Sequence, residues 1–238
     1  MKIIAMIPAR YAATRFPAKL MQQLGTKSVI RHTYDATVAT QLFHDVFVVT
    51  DSTIIYSEIT THGGKAIMSK GNHNSGSDRI AEAIREMDVD VVINVQGDEP
   101  FIKKEPLEKL VNLFQDKQVQ VGSLMRRMHM DEDPASPSAV KVTVNTNNDA
   151  LYFSRSVIPY QAEPSLPNDH YLHIGVYGFR KETLLQFTKW PASKLEQTEK
   201  LEQLRYLENA VPIRMAEVDF KSVAIDTPED LQRAISLL

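Results

Sequence analysis

The chain has 238 residues, a length that suits one domain or one domain with a small appended lobe. Its formal net charge of −3 argues against a nucleic-acid partner, and its lack of cysteine excludes disulfides, thiolate catalysis and cysteine-ligated zinc. No apolar stretch reaches the roughly 18 residues of a membrane span, and Pro8 and Arg10 interrupt the first apolar run too early for a signal peptide. We therefore expect a cytoplasmic protein with no membrane and no nucleic-acid partner.

Short apolar runs alternate with helical patterns through the first half of the chain. Strands are predicted at 3–7, 46–49, 66–68 and 89–95, and helices at 28–39, 54–60, 77–87 and 106–114. This alternation predicts a mainly parallel α/β sheet with helices on both faces.

The alternation of strand and helix patterns ends at about residue 118, after which strand patterns follow one another with little helix between them. Strands are predicted at 119–125, 140–145, 150–154 and 173–180, and helices at 198–209 and 227–238. We interpret this half as an antiparallel β-ribbon inserted into one α/β domain that spans residues 1–238.

A basic loop follows the first strand and contains Arg10, Arg15 and Lys19, with small residues between them. Ligands of open parallel sheets bind at the carboxyl ends of the strands, and three cations with exposed N–H groups suit a triphosphate. The loop is not a Walker P-loop, because that motif is absent. A solvated basic loop without a ligand is an equally good explanation of the spacing alone.

Two carboxylates are candidate metal ligands. Asp98 comes just after an apolar strand, and Asp226 precedes the last helix. Magnesium bound to phosphates uses only one or two protein carboxylates. The alternatives are a plain turn residue for Asp98 and a helix N-cap for Asp226, and the cap is the commoner reason for an aspartate in that position.

Further polar clusters have structural explanations when they are taken one at a time. The segment 75–79 opens a helix and has the composition of a cap with an acidic first turn. Arg155 ends a strand and could hold a carboxylate with two hydrogen bonds. His173 and Tyr177 alternate onto one face of a strand, where a half-buried structural histidine is common. Surface charge pairing explains Glu199, Glu202 and Arg205, which the helical pattern predicts on one face.

The order of these motifs along the chain is more specific than any one of them. They are Ile7-Pro8-Ala9-Arg10, Thr14-Arg15-Phe16-Pro17 with Lys19, Ser75-Gly76-Ser77-Asp78-Arg79, Val95-Gln96-Gly97-Asp98-Glu99-Pro100, Ala150-Leu151-Tyr152-Phe153-Ser154-Arg155, His173-Ile174-Gly175-Val176-Tyr177, Leu201-Glu202-Gln203-Leu204-Arg205 and Asp226-Thr227-Pro228-Glu229-Asp230-Leu231. Over nearly its whole length the sequence resembles the 3-deoxy-manno-octulosonate (Kdo) cytidylyltransferase family, also called CMP-Kdo synthetases.

The resemblance implies a nucleotide-diphospho-sugar-transferase-like, Rossmann-like fold and a homodimer formed largely through the antiparallel ribbon. It also implies a Mg²⁺ cofactor and a cytoplasmic role before lipopolysaccharide assembly. Residues 1–117 would form the nucleotide-binding half, and residues 118–238 the half that binds the sugar and dimerises. The implied reaction transfers CMP from CTP to the anomeric hydroxyl of Kdo and releases pyrophosphate.

The resemblance assigns roles residue by residue. The nucleotide would be bound by Ala9, Arg10, Arg15, Lys19, Ser75, Gly76, Ser77, Arg79 and Gln96. The sugar acid would be bound by Gln96, Arg155, His173, Tyr177, Glu202 and Gln203. Asp98 and Asp226 would hold the metal, and these two would act in catalysis with Lys19 and Arg10.

The sequence departs from the family pattern at three positions of the first loop. Ala13, Ala18 and Leu20 stand where the family commonly has Ser, Gly and Pro. Ala18 restricts the backbone at a position where glycine is usual, and the loss of a hydroxyl at position 13 removes one possible phosphate donor. These departures leave the implied reaction intact. Two alternatives to Kdo transfer stay open: a cytidylyltransferase for 8-amino-Kdo, sialic or pseudaminic acid, and a catalytically idle nucleotide-binding regulator, against which the presence of both candidate metal carboxylates argues.

Overall fold

The structure is a computed structural model, and it describes residues 1–12, 16–71, 73, 75–163, 170–221 and 223–238. The chain forms two compact units, one of Met1–Glu108 with Lys221–Leu238 and the other of Lys109–Phe220. The predicted halves divide the chain once, after residue 117, whereas the last segment of the chain belongs with the first unit. The first unit is therefore discontinuous in sequence.

Parallel strands form the sheet of the first unit. The strands of this unit are Ile3–Ala9 (β1), Gln23–Leu24 (β2), Lys27–Ser28 (β3), Asp45–Thr50 (β4), Ala66–Met68 (β5) and Val91–Asn94 (β6). Strands β6, β1, β4 and β5 lie side by side in that order and all run parallel. The apolar residues of β1 and β6 are almost fully buried, as expected for a parallel strand covered on both faces. Strands β2 and β3 form a separate two-stranded hairpin.

The predicted helices of the first half of the chain and the predicted last helix are present, with small shifts at their ends. The helices of the two units are Val29–Ala39 (α1), Thr53–Thr61 (α2), Gly76–Ile84 (α3), Lys104–Leu113 (α4), Lys181–Phe187 (α5), Lys194–Glu199 (α6), Leu204–Glu208 (α7) and Pro228–Ile235 (α8). Ser28, Ser52, Ser75 and Thr227 cap α1, α2, α3 and α8, because each side chain accepts a hydrogen bond from a main-chain N–H of the first turn. Local sequence therefore determines where these helices begin.

Antiparallel pairing dominates the second unit. Its strands are Val121–Arg127 (β7), Lys141–Val144 (β8), Ala150–Ser154 (β9), Tyr171–Arg180 (β10) and Ile213–Glu217 (β11). Strand β10 pairs antiparallel with β7 and β8, β8 pairs antiparallel with β9, and β11 pairs parallel with β7. The hairpin β8–β9 corresponds to the predicted ribbon. At its turn, the side-chain oxygen of Asn145 accepts hydrogen bonds from the N–H groups of Asn147 and Asp149.

The predicted fold class, a mainly parallel α/β sheet with helices and an inserted antiparallel ribbon, is confirmed. Within the described residues, no helix combines the length and the apolar character that crossing a bilayer requires. Strand β11, helix α5 and the hairpin β2–β3 were not predicted, because their short segments carry neither a clear period nor a strong cap.

The prediction of one helix over 198–209 is wrong. Helix α6 ends at Glu199, where Lys200 adopts left-handed backbone angles, and α7 begins only at Leu204. Glu199 and Arg205 therefore lie on different helices and do not share one helical face. Arg205 instead donates two hydrogen bonds, of 2.7 and 2.5 Å, to the carboxylate of Glu196.

Ala18 has left-handed backbone angles, with φ 51° and ψ 32°. It precedes the 3₁₀ turn Lys19–Met21, and its carbonyl accepts a hydrogen bond of 2.8 Å from the N–H of Met21. A side chain at such a position crowds the following carbonyl, which costs roughly 1–2 kcal/mol for a residue other than glycine.

We expect Ala18→Gly to raise the free energy of unfolding by about 0.5–1 kcal/mol, because relief of the crowding exceeds the greater chain entropy of glycine. Denaturant-induced unfolding measures the change. The matched control is Ala36→Gly in the middle of α1, which should lower the free energy of unfolding by about 1 kcal/mol. A loss of stability in both variants would contradict the strain at Ala18.

Candidate active site

A cleft in the first unit brings together residues from three separate segments. Its volume is about 230 Å³, and it is lined by Pro8, Ala9, Arg10, His73, Ser75, Gly76, Arg79 and Gln96. The predicted nucleotide-binding residues Ala9, Arg10, Ser75, Gly76, Arg79 and Gln96 are all among them. Residues predicted from separate motifs therefore share one cleft at the carboxyl ends of β1 and β6.

The close approach of α3 to β1 forms one wall of this cleft. A Cβ atom at Gly76 would lie 3.1 Å from Cγ of Pro8, which is tighter than ordinary van der Waals contact. Glycine at position 76 thus allows the first turn of α3 to lie against the end of β1. The hydroxyl oxygen of Ser75 caps α3 by accepting a hydrogen bond of 3.1 Å from the N–H of Asp78. The same hydroxyl donates to the Asp78 carboxylate at 2.9 Å. The predicted cap is confirmed, and the cap residue itself lines the cleft.

Arg79 contributes a fixed positive charge to the wall of the cleft. Its side chain is 6% exposed, and it donates to Asp51 and to the hydroxyl of Ser69, each at 2.6 Å. Two anchored guanidinium nitrogens restrict the side chain to one orientation, so this cation needs little ordering when an anion binds. Ser77, the next predicted nucleotide ligand, is buried in α3 and is not among the residues that line the cleft.

Sequence reasoning missed His73. Its Nε2 atom lies 2.6 Å from Glu82, whose two oxygens also accept hydrogen bonds from the N–H of Lys70 at 3.0 and 3.2 Å. Burial raises the pKa of Glu82, but the hydrogen bonds from His73 and from the main chain outweigh it, so the net pKa is lowered. Glu82 therefore holds the His73 ring in position at the cleft. In the sequence, the only sign of this pair is a histidine shortly before α3 and a glutamate within α3, nine residues apart.

A second polar cluster joins Lys19, Asp98 and Asp226. The Lys19 ammonium group donates to Oδ2 of Asp98 in a short hydrogen bond and to Oδ1 of Asp226 at 2.8 Å. The N–H of Ile225 donates to the carbonyl of Asp98 at 3.0 Å, which brings the segment before α8 alongside the end of β6. Asp98 is two residues from Gln96, which lines the cleft, so the charge cluster continues the same edge of the sheet.

The interpretation of Asp226 as a helix cap is wrong. Thr227 is the N-cap of α8, and its capping box is completed by Asp230, which accepts from the N–H groups of Asp226 and Thr227 at 3.0 and 2.9 Å. The Asp226 carboxylate is therefore left for the Lys19 ammonium group. The structure brings together the two aspartates that were predicted as metal ligands.

The chemistry of this cluster fits a divalent cation that is also bound to phosphates. Two carboxylates converge on one point, and Mg²⁺ in phosphate sites takes one or two carboxylates and completes its shell with phosphate and water oxygens. Among the described residues, no group of three or more His, Cys, Asp or Glu side chains forms an all-protein metal cage. The donor set therefore suits a cation that arrives with a nucleotide.

Lys19 stays charged in this setting. Burial lowers its pKa, but the attraction of Asp98 and the hydrogen bonds to both carboxylates outweigh burial, so the pKa is raised above its ordinary value. Arg10, the other predicted catalytic cation, is exposed and lines the cleft. The predicted phosphate ligand Arg15 lies outside the described residues, as does Ala13.

The second unit contains a chain of aromatic rings that includes two predicted sugar ligands. The centroids of His173 and Tyr177 lie 5.2 Å apart, and Tyr177 stacks on Phe179 at 5.7 Å. The series continues through Tyr206 to Phe187, whose rings stack at 4.3 Å. His173 and Tyr177 are thus neighbours, as the alternation of the strand predicts.

His173 is held neutral by its surroundings. Its Nε2 atom lies 2.9 Å from the hydroxyl of Ser123, which itself donates to the carbonyl of Val176 at 2.9 Å. The ring therefore donates from Nε2, and Nδ1 is the acceptor of the neutral imidazole. Burial lowers the pKa of His173 to about 3. At neutral pH this histidine can accept a hydrogen bond from a ligand hydroxyl.

Tyr206 is a further polar group that the sequence did not reveal. Its hydroxyl is buried and has no hydrogen-bond partner among the described residues. Burial and the nearby charge of Glu202 raise its pKa well above the ordinary value, and the same two causes raise the pKa of Tyr177. Two tyrosine hydroxyls and Glu202 therefore form one polar group within the aromatic chain, and Gln203, the next residue after Glu202, is buried.

The Arg155 side chain donates hydrogen bonds to main-chain carbonyls of its own unit. It donates from Nε to the carbonyl of Glu199 at 3.0 Å and from Nη1 to that of Pro137 at 2.7 Å. Lys141, which is fully buried, adds hydrogen bonds to three carbonyls, including that of Arg155, and burial lowers its pKa. The assignment of Arg155 to the sugar carboxylate stays a prediction, since two of its nitrogens already have partners.

The family profile described as cytidylyltransferase matches residues 4–215. The chain belongs to the cytidylyltransferase family. It is 56% identical to the 3-deoxy-manno-octulosonate cytidylyltransferase of Flavobacterium johnsoniae, across 100% of this chain and 99% of that protein. It is 50% identical to the 3-deoxy-manno-octulosonate cytidylyltransferase of Christiangramia forsetii, across 100% of this chain and 97% of the other.

A solved cytidylyltransferase structure has the same architecture. It is described as CMP:2-keto-3-deoxy-manno-octonic acid synthetase complexed with CTP. The TM-score is 0.94 and the sequence identity is 37%, with 100% of this chain and 98% of that chain covered. The similarity to a cytidylyltransferase thus extends over both units of this chain.

The low pKa of His173 makes stability depend on pH. Below the ordinary pKa of 6.5 the unfolded chain binds a proton that the folded protein does not bind until about pH 3, so stability falls as pH falls through this window. The slope contributed by a fully neutral ring is at most about 1.4 kcal/mol per pH unit. We expect His173→Gln to lose less stability than the wild type between pH 6.5 and pH 4.5 in denaturant unfolding. Equal slopes for the two proteins would show that His173 is already protonated in the folded state.

Proposed function

We propose that this chain transfers CMP from CTP to the anomeric hydroxyl of Kdo and releases pyrophosphate. One observation carries the proposal: residues from all the nucleotide motifs that the structure describes converge at one edge of the first unit. The cleft is lined by Arg10, the capped end of α3 and Arg79. The cluster of Lys19 with two carboxylates continues the same edge, because its Asp98 is two residues from Gln96 in the lining. The full-length similarity to named Kdo cytidylyltransferases supports the choice of substrate.

The chemistry is an in-line displacement at phosphorus. The anomeric hydroxyl oxygen of the sugar acid forms a bond to the α-phosphorus of CTP, and the bond from this phosphorus to the oxygen that bridges to the β-phosphate breaks. Pyrophosphate leaves with that oxygen, and the hydroxyl proton passes to solvent. This reaction depends on positioning and on neutralising negative charge. Arg10 and Lys19 neutralise the triphosphate, and the anchored guanidinium group of Arg79 fixes one side of the nucleotide cleft.

We propose Mg²⁺ as the cofactor, held by Asp98 and Asp226. When bound, the cation supplies Lewis-acid activation of the attacking hydroxyl and charge neutralisation at phosphate. The two aspartates are suited to this role because the capping box of α8 leaves the Asp226 carboxylate directed at the same point as that of Asp98. Lys19 remains protonated, so it can act as a cation toward phosphate oxygens throughout the physiological pH range.

The polar groups of the second unit are proposed to bind the sugar acid. His173 offers an acceptor, while Tyr177, Glu202 and Gln203 offer the donors and acceptors that suit a polyhydroxylated chain. Sites that bind hydroxyl groups by buried polar partners discriminate strongly against analogues that lack them. Arg155 is the proposed partner of the sugar carboxylate, and Gln96 is proposed to contact the sugar as well as the nucleotide.

We expect Asp98→Asn to lower metal-dependent turnover by about 10²-fold or more while it keeps the fold, because the side chain loses its charge but not its shape. Pyrophosphate release from CTP and Kdo at saturating Mg²⁺ measures the effect. The matched control is Asp88→Asn, since the side chain of Asp88 is fully exposed, at 101%. Near-normal turnover of the Asp98 variant would contradict the role of this carboxylate.

Pyrophosphate release with a panel of sugar acids, with and without Mg²⁺, tests the substrate. We expect Kdo to give a higher kcat/KM than the alternative substrates 8-amino-Kdo, sialic acid and pseudaminic acid. A preference for one of these alternative substrates would change the substrate and leave the reaction class intact. CTP binding without pyrophosphate release for any sugar acid would support the alternative of a nucleotide-binding regulator.

We also propose a homodimer and a cytoplasmic role in lipopolysaccharide biosynthesis. Exposed apolar side chains on and after the β8–β9 ribbon support the dimer, namely Leu151, Val157 and Tyr160, which are 61%, 41% and 87% exposed. A second copy of the ribbon would cover these side chains, since patches of exposed apolar residues commonly mark interfaces. The activated sugar acid is the product that a lipopolysaccharide pathway would consume.

A further inference from the structure

The ammonium group of Lys19 occupies the point where the two proposed metal ligands converge. Its Nζ atom donates to one oxygen of Asp98 and to one oxygen of Asp226. A cation held by both aspartates would lie in the same space between the two carboxylates. The lysine and the metal therefore require the same site.

Two cations cannot share this position at low cost. A magnesium–oxygen bond is about 2.1 Å long, so a cation bound to both carboxylates would lie within contact distance of the Lys19 ammonium group. Like charges at that separation repel strongly where water is partly excluded. The side chains of Lys19, Asp98 and Asp226 are 19%, 21% and 41% exposed, so the cluster is only partly hydrated. Lys19 must move before a metal binds there tightly.

We infer that Lys19 makes metal binding conditional on nucleotide binding. The inference rests on the proposed function, in which the triphosphate of CTP binds beside this cluster. A triphosphate offers Lys19 a partner of higher charge than the two carboxylates, and the flexible four-carbon stem of lysine allows its head group to exchange partners. Once the ammonium group pairs with phosphate, it no longer competes with the metal for these two carboxylates.

The coupling has a thermodynamic consequence. Because the effect of one ligand on another is reciprocal, the factor by which nucleotide tightens metal binding is the factor by which metal tightens nucleotide binding. In the absence of nucleotide, Lys19 serves as the counter-ion that prevents two adjacent carboxylates from repelling each other. The same side chain thus stabilises the nucleotide-free site and keeps its affinity for metal low.

The test is Mn²⁺ binding to the nucleotide-free protein, followed by electron paramagnetic resonance of the free ion. We expect Lys19→Met to bind Mn²⁺ at least about tenfold more tightly than the wild type, because its carboxylates have lost their internal cation. The matched control is Arg10→Met, which removes one positive charge from the same edge of the sheet without removing a described contact to either carboxylate. The control should change Mn²⁺ affinity by less than about threefold. Lys19→Gln serves as a second variant if the methionine variant does not fold.

The outcomes separate this inference from the proposed function. Equal Mn²⁺ affinity for the wild type and Lys19→Met would overturn the proposed competition. It would also be overturned if Arg10→Met gained as much Mn²⁺ affinity as Lys19→Met, because that result would indicate a general effect of charge. The double variant Lys19→Met with Asp98→Asn should lose the gained affinity. If it binds as tightly as Lys19→Met, Asp98 is not a metal ligand, and the proposed metal role of Asp98 fails together with the competition.

Discussion

The contact of one ammonium group with two carboxylates depends on three segments that are far apart in the chain. Lys19 follows a strained turn after β1, Asp98 follows β6, and Asp226 precedes α8. Parallel strands place the first two at the same edge of the sheet. The main-chain hydrogen bond from Ile225 to Asp98 and the capping box at Thr227 then fix the third. The nucleotide cleft lies along the same edge, so its chemistry depends on all three segments being in place.

Much of the first unit could be predicted from the sequence. The strands of its parallel sheet are mainly apolar runs, and helices α1, α2, α3 and α8 begin at serine or threonine caps, so both signals are local. Six of the predicted nucleotide residues line one cleft because a parallel sheet brings the ends of β1 and β6 together. The aspartate before α8 was ambiguous because a cap and a ligand have the same residue type. Only the structure shows that Thr227 forms the cap and leaves the Asp226 carboxylate for Lys19.

Long-range packing limited prediction in the second unit. The break at Lys200 is set by a left-handed residue that has no glycine or proline to mark it. The tautomer of His173 depends on Ser123, which is 50 residues away in the sequence, and its neutral state depends on burial. The interaction of His73 with Glu82 was missed for a different reason: neither residue belongs to one of the motifs singled out in the sequence, although the two are close in the chain.

The discontinuity of the first unit affects the order in which a ribosome can build it. A nascent chain that ends near residue 108 contains the parallel sheet, the cleft and two members of the charge cluster, but it lacks the segment that carries Asp226. Until that segment emerges, Asp98 is the one described carboxylate that the Lys19 ammonium group can bind. Domains generally fold during synthesis from the N-terminus. Folding of this unit can therefore begin first, but it can be completed only last. The catalytic edge can therefore assemble only after the whole second unit has been translated.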